Sequence, residues 1–303
     1  MPDQPSFADR LQGVIVPVTT TFDAATGDIA PIPFRDNLRK WIEQPIDGIL
    51  LFGSTGEGAI LDEDEKARLT HFARDVVPAG VPLLAGVGAD STRATIRQAR
   101  LVAAQGADAV LVHPPPYFGA YLSPAAMVQH FRDVADASPV PVLVYHIPKY
   151  TKVTLEAGLV AELMRHGNIV GLKDSSGDVK RFADFTNACG STCRLFVGSG
   201  ALLYTALELG AAGGIVAAGL IVPAWCAEVV SSFRSGNSAR AGQVQAQITP
   251  LHKEIVAAHG AVGVKAAIEL LGYAGGDPRP PLRPLGAKER QAVARVMQEA
   301  GVN

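Results

Sequence analysis

The sequence predicts an α/β chain folded as a (β/α)8 TIM barrel with a C-terminal helical extension, and three observations lead there. Short apolar runs rich in Val, Ile and Leu recur at intervals of roughly 20 to 35 residues. Segments with helical periodicity separate them. The runs number eight, and no mid-chain shift in composition marks a second domain of the kind a doubly wound sheet carries. With 303 residues, 48% of them hydrophobic, the chain can fill one large core.

In order, the candidate strands are Gly13–Thr19, Gly48–Gly53, Pro82–Val87, Ala109–His113, Pro141–Tyr145, Ile169–Lys173, Arg194–Gly198 and Gly214–Ala218. Each is a nearly continuous apolar run, as expected of a parallel strand covered by helices on one face and by the barrel interior on the other. Between them Asp62–Val76, Thr92–Gln105, Leu155–His166, Val179–Ala188 and Ala201–Leu209 lack internal proline and read as crossover helices. Ser91 or Thr92 is placed to cap the second of these, and Gly106 to close it. Residues 1–222 are assigned to the barrel and 223–303 to the extension, all one structural unit. The extension holds helical segments Pro223–Phe233, Ala239–Ala258, Val262–Leu271 and Lys288–Glu299, the last after a proline-rich turn. Apolar faces at Ile248, Leu251, Ile255, Ile268, Leu270 and Leu271 call for cover from the helix ring or from a neighbouring subunit.

Composition narrows the function. Lys and Arg total 27 against 29 Asp and Glu, a formal charge of −2, and no basic stripe points to nucleic acid. A mean hydropathy of +0.19 is high, yet Gly, Pro or a charge cuts every apolar run well short of a membrane span. The polar N-terminus MPDQPSFADRLQG lacks the order of a secretory signal, and Cys189, Cys193 and Cys226 lack zinc-knuckle spacing. A cytoplasmic chain with reduced thiols is the expectation.

In a barrel of this type the active site lies where the strands end, and several runs stop at hydroxyls or ionisable groups. Strand two leads into Gly53-Ser54-Thr55-Gly56-Glu57, strand five ends at Tyr145-His146, and strand six ends at Lys173-Asp174-Ser175-Ser176. Burial of a lysine favours its neutral amine, which attacks a ketone or aldehyde to form a Schiff base. Lys173 suits that role; the alternative is an ion pair with Asp174 or Glu57. Tyr145 would stand beside it and carry a proton, or sit at the rim with a solvated hydroxyl. The Gly-rich turn offers two hydroxyls and exposed N–H groups to a carboxylate, or serves turn geometry alone.

GSTGE, YHIP and GLKDSSGD, in this order from PVTTTF through GGIVAAG, resemble the dihydrodipicolinate synthase and N-acetylneuraminate lyase family of Schiff-base, pyruvate-handling aldolases. The resemblance implies that Lys173 forms the imine with the keto carbon of pyruvate or a 2-oxo acid. It makes Tyr145 the acid and base, and has Ser54, Thr55 and Gly53 hold the pyruvyl carboxylate, with Ser54 joining the proton relay. Gly198 and Ile215 match the glycine and carbonyl near the imine. No metal or organic cofactor is implied, the partners are pyruvate or a 2-oxo acid plus an aldehyde, and the assembly is a homo-oligomer, a dimer or tetramer.

Two departures bear on the substrate. The synthases carry two tyrosines after strand four, the second reaching across a dimer interface into the relay, where this chain has Tyr117-Phe118, so either Tyr117 takes the role by a shifted loop or the relay runs through Ser54 and water. They also place an arginine after the YNxP turn, where this chain reads Lys149-Tyr150-Thr151; Lys149 could bind a distal carboxylate or remain a solvated loop lysine. GLKDSSGD and the loops around PPPYFGAYLS and GSGALL look closer to the 4-hydroxy-2-oxoglutarate and 2-keto-3-deoxy sugar acid aldolases. The synthase activity, or a dehydratase or deaminase using the same imine, is the alternative.

Other readings stay open. His113 and His146, with Glu57, fall at strand ends where a class II aldolase would hold a metal. Gly198-Ser199-Gly200 and Gly213-Gly214, read as following strands seven and eight, could cradle a phosphosugar. A non-catalytic sensor could use the same pocket for a 2-oxo acid.

Overall fold

Every predicted run becomes a strand: β1 Gly13–Pro17, β2 Gly48–Leu51, β3 Leu83–Val87, β4 Ala109–Val112, β5 Val142–His146, β6 Ile169–Asp174, β7 Arg194–Val197 and β8 Gly213–Ile215. The computed structural model describes residues 7–190 and 193–302, so part of the N-terminal segment read for targeting lies outside the described residues. The strands pair in parallel in sequential order, and β8 returns to β1 to close the barrel.

Alternation sorts the strand side chains into two layers. Val14 and Val16, Val142 and Val144, and Leu172 face outward and join the helices in the larger core cluster. Ile15, Leu50, Leu84, Leu111, Leu143, Tyr145, Phe196 and Ile215 fill the barrel. Lys173 follows outward-facing Leu172, so the same period of two turns it inward beside Tyr145.

The helices are α1 Phe7–Arg10, α2 Pro31–Ile42, α3 Glu63–Arg74, α4 Thr92–Ala104, α5 Pro124–Ala137, α6 Pro148–Thr151, α7 Ala157–Leu163, α8 Val179–Cys189, α9 Leu203–Glu208, α10 Pro223–Arg234, α11 Ser238–Leu251, α12 Ala258–Leu270 and α13 Ala287–Glu299. Asp62 and Glu65 form a capping box on α3, and Ser91 caps α4 by accepting from the Ala94 N–H. Helix α10 packs on β1 and α9, so the ring of helices runs past the division at 222 read from the sequence. The helix expected over Ala239–Ala258 is α11 followed by a π turn at His252–Ala257, which leads into α12.

Ile248, Leu251, Ile255 and Ile268 are fully buried, so this chain alone covers most of the apolar face of the extension, while Leu270 stays exposed. Gly213 and Gly214 lie inside β8 and not in a loop after it. A Cβ at Gly213 would run into the backbone of Gly13, and this close approach to β1 is what requires glycine there. No helix among the described residues is long and apolar enough to cross a membrane.

His130, buried on α5, bonds Thr92 Oγ1 through Nδ1 at 2.9 Å, and its Nε2 has no hydrogen-bond partner among the described residues. Burial, with a smaller contribution from the nearby His113, pushes its imidazole from 6.5 down to about 4. Between those values the unfolded chain binds a proton that the native chain refuses, so stability falls as pH drops from 6.5 to about 4. Urea midpoints measured across that window should decline less steeply for His130→Phe than for the parent; equal slopes would show that His130 does not drive the decline.

Candidate active site

The paired strands β5 and β6 bring Tyr145 opposite Lys173 and His146 opposite Asp174. Tyr145 and Lys173 both point inward, and the Lys173 Nζ lies 4.5 Å from the centre of the Tyr145 ring. His146 and Asp174 have the opposite parity and meet behind the barrel wall, with His146 Nδ1 2.7 Å from Asp174 Oδ1 and the His146 ring edge-on to Phe185 of α8. Asp174 also accepts from the Ser176 backbone N–H and hydroxyl. These bonds tie the ends of the two strands together and so hold Tyr145 and Lys173 side by side.

Neither carboxylate considered as a partner for Lys173 is available. Asp174 is engaged as described, and Glu57 forms a buried ion pair with Lys265 at 2.6 Å while accepting the Arg279 N–H. Lys173 is only 4% exposed and makes no ion pair or hydrogen bond with a described residue; it lines a cavity of about 250 Å³ at the mouth of the barrel. The ion-pair alternative for Lys173 is therefore excluded by geometry.

The turn after β2 supplies the hydroxyls. Ser54 Oγ is 3.4 Å from Tyr145 Oη, and Ser54 and Thr55 line the cavity with Lys173. Phe52 and Glu57, on either side, have φ of 56° and 55°, left-handed values that cost non-glycine residues energy and persist only where surrounding contacts hold them. Here the Gly53 carbonyl accepts from the Gly56 and Gly58 N–H groups, the Thr20 hydroxyl donates to the Gly56 carbonyl at 2.6 Å, and Lys265 grips Glu57. The turn is thus braced by contacts from β1's outgoing loop and from α12.

The remaining residues singled out from the sequence divide clearly. Gly198 and Ile215 line the Lys173 cavity, and a Cβ on Gly198 would collide with the Ser175 hydroxyl. Gly53 lines an adjoining cavity of about 390 Å³ that shares Ser54 and Tyr145 with the first. Lys149 lines the Lys173 cavity, but its Nζ donates to the Ala257 carbonyl at 3.1 Å. Tyr117 does not reach the site within this chain: it is 78% exposed and its ring packs edge-on against Phe118. Within this chain the hydroxyl that approaches Tyr145 Oη is that of Ser54. His113 turns its Nδ1 to the Pro114 carbonyl, and among the described residues no three His, Cys, Asp or Glu side chains gather as a metal-ligand set.

Sequence reading missed the part of the cavity made by the C-terminal region: His252, Val256, Ala257, Gly260 and Ala261. Pro250 inside a helix and Gly260 with φ 59° are the local signals that this helix is interrupted, though neither tells where the interruption lands.

The Dihydrodipicolinate synthetase family matches residues 10–300 of this chain. The chain belongs to that family. It is 33% identical to a 4-hydroxy-tetrahydrodipicolinate synthase of Syntrophus aciditrophicus over 96% of its own length and 99% of the relative's. Among solved structures it superposes with a TM-score of 0.91 and 27% identity on YagE, a prophage protein of the dihydrodipicolinic acid synthase family from E. coli K12 in complex with pyruvate, covering 96% of this chain and 99% of that one. A chloride-inhibited dihydrodipicolinate synthase from Acinetobacter baumannii, complexed with pyruvate, gives a TM-score of 0.91 at 28% identity, with 97% and 100% covered. As a member of the dihydrodipicolinate synthetase family the protein is a lyase of the aldolase type that forms a Schiff base with pyruvate.

Proposed function

We propose that Lys173 is the imine-forming residue and that the enzyme makes or breaks a carbon–carbon bond next to a pyruvyl unit. The observation that carries this reading is a buried lysine that has no ion-pair or hydrogen-bond partner among the described residues and faces a cavity against a tyrosine ring. Lys173 Nζ attacks C2 of the 2-oxo acid, the carbinolamine loses water, and the protonated imine results. In cleavage the electron pair of the C3–C4 bond moves into the imine to give an enamine, while the C4 hydroxyl loses its proton as the aldehyde forms. The enamine is then protonated at C3 and hydrolysed, which frees pyruvate and the lysine. Tyr145, with Ser54 at 3.4 Å, carries the protons, and the hydroxyls and N–H groups of the Ser54-Thr55 turn receive the carboxylate.

A 4-hydroxy-2-oxoglutarate or 2-keto-3-deoxy sugar acid aldolase is the finer assignment we favour, because Phe118 replaces the second tyrosine of the synthases and no arginine follows the YHIP turn. The synthase names of the relatives favour 4-hydroxy-tetrahydrodipicolinate synthase as the second reading. Turnover with pyruvate and a panel of aldehydes separates the two. The imine itself is tested by intact-mass analysis after incubation with pyruvate and borohydride, with tryptic mapping; an adduct on a lysine other than Lys173, or none on folded protein, rejects the assignment. Tyr145→Phe keeps the ring beside Lys173 but removes the proton carrier. It is expected to slow turnover by about 10²- to 10⁴-fold with an unchanged unfolding midpoint, and turnover near the parent value would show that the relay does not need the phenol.

A further inference from the structure

The cavity over Lys173 has two kinds of lining. Ile215, Ala217, Val256, Ala257 and Ala261 are apolar, whereas Ser175, Ser176 and Ser199 bring hydroxyls, with His252 behind them. The Ser176 hydroxyl is already committed: it donates to Asp174 Oδ2 at 2.9 Å and accepts from the Asp178 N–H. Ser199 is held differently. His252 comes from the π turn between α11 and α12, and both of its ring nitrogens are engaged by the loop after β7.

The tautomer follows from the donors. The Gly200 backbone N–H donates to His252 Nδ1 at 3.2 Å, so Nδ1 carries the lone pair, and the ring proton sits on Nε2. That N–H lies 3.1 Å from Ser199 Oγ and donates to it. The serine oxygen therefore accepts from the imidazole, and its own proton remains for a group in the cavity. Burial, with the nearby Lys149 and Lys253 adding to it, pushes the imidazole down to about 4, which keeps it neutral at physiological pH. Gln245 on α11 fastens the same loop by donating to the Gly200 carbonyl and accepting the Tyr204 N–H. Apart from Lys173, Lys149 is the cation in the lining, and it is turned to a backbone carbonyl.

We propose that Ser199, oriented by His252, is a specificity-determining residue that recognises a neutral hydroxyl on the aldehyde half of the substrate, so that of the two assignments favoured above the preferred aldehyde is a hydroxyaldehyde, as a 2-keto-3-deoxy sugar acid releases, and not one ending in a carboxylate, as 4-hydroxy-2-oxoglutarate releases. The proposal rests on the imine reading above. A site built to hydrogen-bond a hydroxyl discriminates against the analogue that lacks it, because its own polar group is then left unpaired.

The test is pyruvate condensation with glyceraldehyde, propanal and succinic semialdehyde. The parent enzyme should favour glyceraldehyde over propanal in kcat/KM by about tenfold or more, and also over succinic semialdehyde. In Ser199→Ala and in His252→Phe this preference should fall to within about threefold of unity, while Ser199→Thr retains it. Loss of His252 by structural damage alone would lower all three rates together and leave the ratios unchanged, which overturns the proposal. A parent preference for succinic semialdehyde, or turnover of none of the aldehydes while the pyruvate adduct forms, overturns it as well. The borohydride adduct is scored on each protein: its absence from the parent rejects the imine reading itself, whereas a normal adduct with unaltered selectivity rejects the role of Ser199 alone.

Discussion

Lys173→Ala is expected to abolish the borohydride-trapped pyruvate adduct and to lower turnover by on the order of 10⁴-fold or more. Among the described residues Lys149 is the remaining lysine of that cavity's lining, and its Nζ is held on the Ala257 carbonyl. The fold should tolerate the change, because Lys173 forms no ion pair or hydrogen bond with a described residue whose loss would strand a buried partner. Retained catalysis together with loss of the adduct would dismiss the imine; loss of both with a lowered unfolding midpoint would mean that the lysine also supports the barrel.

Lys265→Met is expected to have the largest effect on stability. Its ammonium is buried in α12, 2.6 Å from Glu57, bonded to the Asp277 carbonyl and 4.7 Å from the centre of the Phe22 ring. Burial moves the Lys265 amine below its usual range, a shift opposed chiefly by the attraction of Glu57. Removing the lysine leaves Glu57 without a counter-charge inside the protein, which costs about 3 to 5 kcal/mol. The Glu57→Gln, Lys265→Met double variant leaves no buried charge at the pair and should be more stable than Lys265→Met alone. Denaturant midpoints for the set measure this coupling, and single variants within about 0.5 kcal/mol of the parent would show that the pair carries no such weight. Because Glu57 ends the left-handed turn that presents Ser54 and Thr55, the single variant should also raise KM for pyruvate.

The strand ends were legible because strand parity is local. A nearly continuous apolar run that stops at Lys173 or at Tyr145 marks a strand end in the sequence, and in the barrel the alternation of facing sets Lys173 opposite to Leu172 and Tyr145 opposite to Val144. The same reasoning placed Ser54 and Thr55, since the turn follows directly from β2. It misjudged Gly213 and Gly214: Gly213 answers to the approach of β1, a strand about two hundred residues earlier in the chain, and Gly214 to the side chains of Leu203 and Val216 packed over it. Tyr117, offered because tyrosines occupy that loop in the synthases, is exposed against Phe118 and does not reach the cavity of its own chain.

The sequence by itself determined the barrel, the order of its strands, and the lysine, tyrosine and serine at three strand ends, because each depends on periodicities spanning a few residues. Only the tertiary structure decided what surrounds them. The π turn delivers His252 to Ser199, α12 delivers Lys265 to Glu57, and Asp174 turns away from Lys173 to His146. His252 and Lys265 lie 53 and 208 residues from their partners in the chain, and the Asp174 contact joins two separate strands, so no local pattern encodes these pairings. They arise when barrel closure and the packing of the last helices bring the groups within hydrogen-bonding distance, where the cost of burying each one selects its partner.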